Sequence, residues 1–198
     1  MLRINCLLSL LLAVVFLLSP SAILANYCAC CAERGEYSIK TRKLEKFETD
    51  ELKRLEIADT TLFTDGGFPE NIKGISPLTE IFSSSLLMQN TLWKFTFKND
   101  KNNSGVLNLS KAPTIVDFRT DTYNEGEPIL YKELRFKYRL SGATGIFQKG
   151  FAPATEYFLV LQGKGNHCLA AEQFTHWRLE ITGKKADYAF FGKLKTKN

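Results

Sequence analysis

The chain predicts an all-β protein, a single antiparallel β-barrel with one short helix; the same strands would also build a two-sheet β-sandwich. Three observations predict it. Apolar and charged residues alternate with period two over several short stretches, polar or glycine-bearing turns separate those stretches, and no internal repeat or low-complexity tract interrupts them.

The clearest alternation runs from Leu130 to Leu140. Leu130, Leu134, Phe136, Tyr138 and Leu140 share one parity, and Glu133, Arg135, Lys137 and Arg139 share the other. Successive side chains of a strand point to opposite faces, so this strand has one dry and one wet face. Trp93, Phe95 and Phe97 alternate in the same way with Lys94, Thr96 and Lys98, and Trp177, Leu179 and Ile181 with His176, Arg178 and Glu180. Residues 157–162 and 188–191 are apolar throughout and read as strands with no face assigned.

The connections agree. Asn99-Asp100-Lys101-Asn102-Asn103-Ser104-Gly105 is a polar hairpin loop leading into a strand over Val106 to Leu109. Gly163-Lys164-Gly165-Asn166 and Thr182-Gly183-Lys184-Lys185 carry turn chemistry. The helix is expected near residues 49–57, with Thr49 as its cap, Asp50 and Glu51 at the positive end of the dipole, and Leu52 and Leu55 on one face. Residues 78–88 fit neither period, and residues 65–77, with Gly66, Gly67, Pro69, Gly74 and Pro77, read as a long loop.

Gly35-Glu36-Tyr37 opens the first strand. Lipocalins carry Gly-x-Trp at that place, and the architecture resembles theirs, with Tyr in place of Trp. A closed barrel with strands of this kind commonly holds a small apolar ligand in its mouth.

The N-terminus reads as an export signal. Arg3 supplies a positive start, residues 4–18 are almost wholly apolar, Ser19-Pro20-Ser21 breaks any helix, and Ala25 offers a small residue for cleavage. An apolar run of about 15 residues falls short of the roughly 20 that span a bilayer. The expected organisation is a signal peptide over residues 1–25, a cysteine-rich segment over 26–34 and a single β domain over 35–198. The mature protein is then secreted or periplasmic, with no transmembrane span. Cleavage removes one of 26 basic residues, leaving 25 against 21 acidic ones, a net charge of +4. That is mildly basic and scattered, short of a nucleic-acid footprint.

Cleavage also removes Cys6 and leaves Cys28, Cys30, Cys31 and Cys168. An even number in an exported chain reads first as disulfides. Cys30 with Cys31 would strain the peptide between them. Cys28–Cys31 with Cys30–Cys168 is more comfortable, and an exchange of Cys30 for Cys28 stays open. Tying the N-terminal segment to the turn at Cys168 closes a long loop, worth about 4 to 5 kcal/mol by chain entropy. The alternative is a metal site, in which Cys28, Cys30, Cys31, Cys168 and His167 offer soft ligands for zinc or copper. Cys28-x-x-Cys31 also matches a thiol-redox spacing, though at the mature N-terminus instead of the start of a helix.

Hydrolytic chemistry has little to draw on. His176 shares its strand face with Arg178 and Glu180 and reads as solvent-facing, and His167 reads as a turn residue. No nucleophile elbow, zinc-protease or phosphate-loop motif occurs. The carboxylate pairs Glu125 and Glu127, and Asp117 and Asp121, read as solvated. Asn102-Asn103-Ser104 and Asn108-Leu109-Ser110 match the N-glycosylation sequon. The function expected is an exported, non-catalytic binding module for a small apolar ligand or a protein partner, stabilised by disulfides. A Cys/His metal-binding protein is the first alternative, and a thiol-redox or other enzyme the second.

Overall fold

A computed structural model describes residues 37–64, 70–79, 81–124, 127–164 and 170–197. The elements are β1 (Tyr37–Arg42), α1 (Lys46–Lys53), β2 (Leu55–Leu62), β3 (Ile81–Met88), β4 (Leu92–Asn99), β5 (Ser104–Ser110), β6 (Ile115–Asn124), β7 (Glu127–Gly145), β8 (Glu156–Lys164), β9 (Phe174–Thr182) and β10 (Asp187–Thr196). Single 3-10 turns cover Gln148–Gly150 and Ala171–Gln173.

The strands pair in the order β1-β6-β7-β5-β4-β3-β2-β10-β9-β8, and β8 pairs back onto β7. That last pairing closes an eight-stranded antiparallel barrel and excludes the open sandwich. β1 and β6 form a flap on its wall. The 19-residue β7 makes this possible. One edge pairs β6 over residues 127–135 and then β5 over 140–145, while the other edge pairs β8 over 131–139.

Alternation assigns the faces as expected. Trp93, Phe95 and Phe97 are buried while Lys94 and Lys98 are exposed, and Trp177, Leu179 and Ile181 are buried while His176 and Arg178 are exposed. The run from Leu130 to Leu140 holds at Leu134, Phe136 and Leu140. Tyr138 departs from it, at 41% exposed. It sits where β6 has ended at Arg135 and β5 has not yet begun at Leu140, so one edge of β7 lacks a neighbour there. The side chain of Leu130 lies outside the described residues.

Three local expectations are corrected. The helix spans Lys46–Lys53 instead of 49–57, because Leu55 is drawn into β2 and pairs Thr196. Residues 81–88 form a strand, β3, with Phe82 and Leu86 inward. β5 begins at Ser104, two residues early, because Asn99 closes the hairpin tightly. Its Oδ1 accepts from the backbone N–H groups of Lys101 (3.0 Å) and Asn103 (2.8 Å). Asn102 takes the left-handed conformation, at φ 62°.

Aromatic rings fill the barrel from its middle to the end beyond Gly145. Phe97 stacks on Phe190 at 4.4 Å, Trp93 meets Phe136 at 4.8 Å, and Phe147 folds in against Phe97 at 5.2 Å. Edge-to-face and offset pairs of this kind add to the area they bury. The depressions lined wholly by described residues lie outside the wall, around Phe63 and Phe191, around His176 and Arg178, and around Ile81 and Lys98.

Candidate functional site at the helix-capped end

The opposite end of the barrel is closed by α1. The Glu45 backbone N–H donates to Glu48 Oε2 at 2.7 Å and starts the helix. One turn later Leu52 lies on the same face, and both Glu48 and Leu52 are buried. Glu51 Oε2 accepts from the Ala171 N–H at 3.0 Å, and Arg54 pairs with Glu172, so the helix is fastened to the turn before β9. That turn crosses β8 at Gly163, where an added Cβ would stand 2.3 Å from the Gln173 carbonyl oxygen. Only glycine permits so close a crossing.

Beneath this cap lies a charged cluster. Arg42, at the end of β1, forks onto both carboxylate oxygens of Glu48. Its Nε and Nη2 also donate to Asp117 Oδ2 at 3.1 and 3.0 Å. Arg119 donates to the same carboxylate through Nη2 at 2.8 Å and Nε at 3.2 Å. Burial would raise the Asp117 carboxyl, but the hydrogen bonds and charges of Arg119 and Arg42 hold it below the usual carboxylate range. The Glu48 hydrogen bond, outweighing burial, raises the Arg42 guanidinium. Asp117 is thus corrected from a solvated residue to one of the most buried acids, because β6 turns it to the same face as Leu134.

Lys132 completes the cluster. It lies directly opposite Arg119 in the β6–β7 ladder and shares its parity with Leu134 and Phe136. The side chain is 6% exposed, its Nζ stands 5.4 Å from the centre of the Phe174 ring, and among the described residues no hydrogen-bond acceptor reaches it. Burial, reinforced by Arg119 and Arg42 against Asp117 and Glu48, pulls its ammonium down to about 8. In the next inward layer, Leu134 pairs Leu161 and Leu161 pairs Trp177. The Trp177 indole N–H is buried there and also lacks an acceptor.

The cluster draws on four elements, β1 and α1 near the start of the domain and β6 and β7 far later in the chain, so reading along the chain missed it. One signal was present: Lys132 falls on the dry parity of β7. Of the residues singled out from sequence, Asp117 falls in the cluster. His176 is exposed on the outside of β9, its Nδ1 2.9 Å from Thr175 Oγ1. Cys28, Cys30, Cys31, His167 and Cys168 lie outside the described residues, as do Glu125 and the side chains of Asp121 and Glu127. Among the described residues, no group of three or more His, Cys, Asp or Glu side chains is arranged to hold a metal ion. No family model, no curated protein sequence and no solved structure matches the chain.

Proposed function

We propose that the protein is an exported, non-catalytic binding module that takes a small, largely apolar ligand at the α1 end of its barrel. Residues 1–25 direct export, and Cys28, Cys30, Cys31 and Cys168 form disulfides that tie down the N-terminal segment. The observation that carries the reading is Lys132, a buried ammonium with no acceptor inside a barrel wall. Burying an unpaired charge costs several kcal/mol, and a bound molecule supplying the missing acceptor offsets that cost. Tightly packed aliphatic and aromatic side chains fill the core along the barrel axis, which favours the α1 end, where Lys132 stands, as the binding place.

Native mass spectrometry of protein secreted from its own signal, followed by titration with the neutral dye Nile red, tests the proposal. The expected mature mass begins at Asn26, is lighter by the hydrogens of two disulfides, and the dye saturates at one site. Absence of saturable binding together with absence of any co-purifying small molecule would overturn the binding reading.

A further inference from the structure

We propose that the site beneath α1 recognises a monocarboxylic acid with an apolar body, its carboxylate seated on Lys132 Nζ. This rests on the binding reading above and names the ligand class.

The charge count points to a monoanion. Among the described side chains, Arg42, Arg119 and Lys132 bring positive charge to the cluster, and Glu48 and Asp117 bring negative charge. The acid oxygens are already engaged. Glu48 receives both nitrogens of the Arg42 fork and the Glu45 N–H, and Asp117 receives Arg42 and Arg119. Lys132 is left with one positive charge and nothing to accept from it. A carboxylate balances that charge, whereas a phosphate dianion would leave an excess.

The hydrogen-bond count agrees. Lys132 Nζ and Trp177 Nε1 are both donors, both buried, and lie in adjacent inward layers of the same end. An orphaned ammonium calls for an acceptor, and a carboxylate oxygen supplies one. The surroundings set the rest of the ligand. Phe174, Leu134, Leu161, Leu52 and Leu55 are buried at this end, so the body beyond the carboxylate is apolar.

The barrel wall is weakest on the side opposite β7. β2 and β3 are joined through the pairs Thr60–Phe82 and Thr61–Ile81. From there toward α1, among the described residues, no further ladder pair joins them.

The test uses octanoate and octan-1-ol, equal in chain length and different in head group, titrated by calorimetry into the mature protein and into Lys132→Met and Lys132→Gln. A charge-assisted hydrogen bond in a buried site is worth at least about a tenfold preference. Octanoate is therefore expected to bind the wild type at least about tenfold more tightly than octanol. Both variants should erase that preference, weakening octanoate far more than octanol. Octanoate should also raise the pH midpoint of the lysine 13Cε resonance that is missing from Lys132→Met. Equal binding of acid and alcohol, unchanged in both variants, would overturn the carboxylate assignment and leave the binding module standing. Binding of neither probe to any of the three proteins would overturn the site itself.

Discussion

Lys132 and Asp117 show how much a single side chain depends on what β6 and β1 bring to it. Both face the interior of one end of the barrel, and they differ in their partners. Asp117 has two arginines, so its charge is stabilised where it is buried. Asp117→Asn leaves Arg42 and Arg119 without their shared carboxylate and is expected to cost about 2–4 kcal/mol in urea unfolding at pH 7. Because the folded carboxyl titrates below the unfolded one, its contribution is present above about pH 4 and fades as pH falls through the folded value. The variant should therefore lose less stability than the wild type on acidification below that point. Lys132 has the opposite sign. Its ammonium titrates at about 8 when folded and near 10.5 when unfolded. Between those values the unfolded chain holds the extra proton, so stability rises with pH across that window and is flat just below it. Lys132→Met is expected to gain about 1–3 kcal/mol at pH 7 and to abolish the rise, which pH-dependent urea midpoints would measure.

At the scale of elements, α1 and the turn after β7 hold the two ends of the barrel. Leu52 is buried at the cap beside Leu55. Leu52→Ala is expected to cost about 2–4 kcal/mol and to speed hydrogen exchange of the α1 amides, read by NMR. At the other end Gly145 takes φ +59°, and a Cβ there would lie 2.0 Å from the Ser104 carbonyl oxygen. The turn needs this conformation to send Phe147 back into the core, where it is fully buried. Gly145→Ala should destabilise by more than about 1 kcal/mol and loosen the Phe147 packing, visible as a lowered thermal midpoint and a weakened near-UV aromatic signal.

At the scale of the molecule, the barrel is not uniformly closed. β7 engages β6, β5 and β8 along 19 residues, and β8, β9 and β10 pair almost residue for residue. Between β2 and β3 the ladder shrinks to two pairs, supplemented by a hydrogen bond between the Thr60 and Ser84 hydroxyls. Opening free energies follow such differences in hydrogen bonding. Native-state hydrogen exchange should therefore find the amides of β3 that face β2 the least protected in the wall and those of β8 and β9 the most. Equal protection around the barrel would contradict the β2–β3 ladder as its weakest seam.

The alternation of residue types by itself determined the class of fold and the facing of most strands. A strand places every second side chain on one side, so the dry faces of Trp93 to Phe97 and Trp177 to Ile181 are local properties that any β architecture must honour. The turns at Asn99–Gly105 and Thr182–Lys185 were legible for the same reason, since their chemistry acts within a few residues. Closure into a barrel was not local. It depends on β8 returning to the free edge of β7, and period two describes a sandwich strand equally well. Helix bounds failed at Leu55 because a β2–β10 ladder outweighed its helical spacing. The charged cluster was least legible. Arg42, Glu48, Asp117 and Lys132 are separated along the chain and meet only when β1 and β6 lie beside β7 under α1. A sequence shows that a residue is charged; the tertiary structure alone decides whether the charge is buried and has a partner, because desolvation and pairing are set by neighbours from other elements.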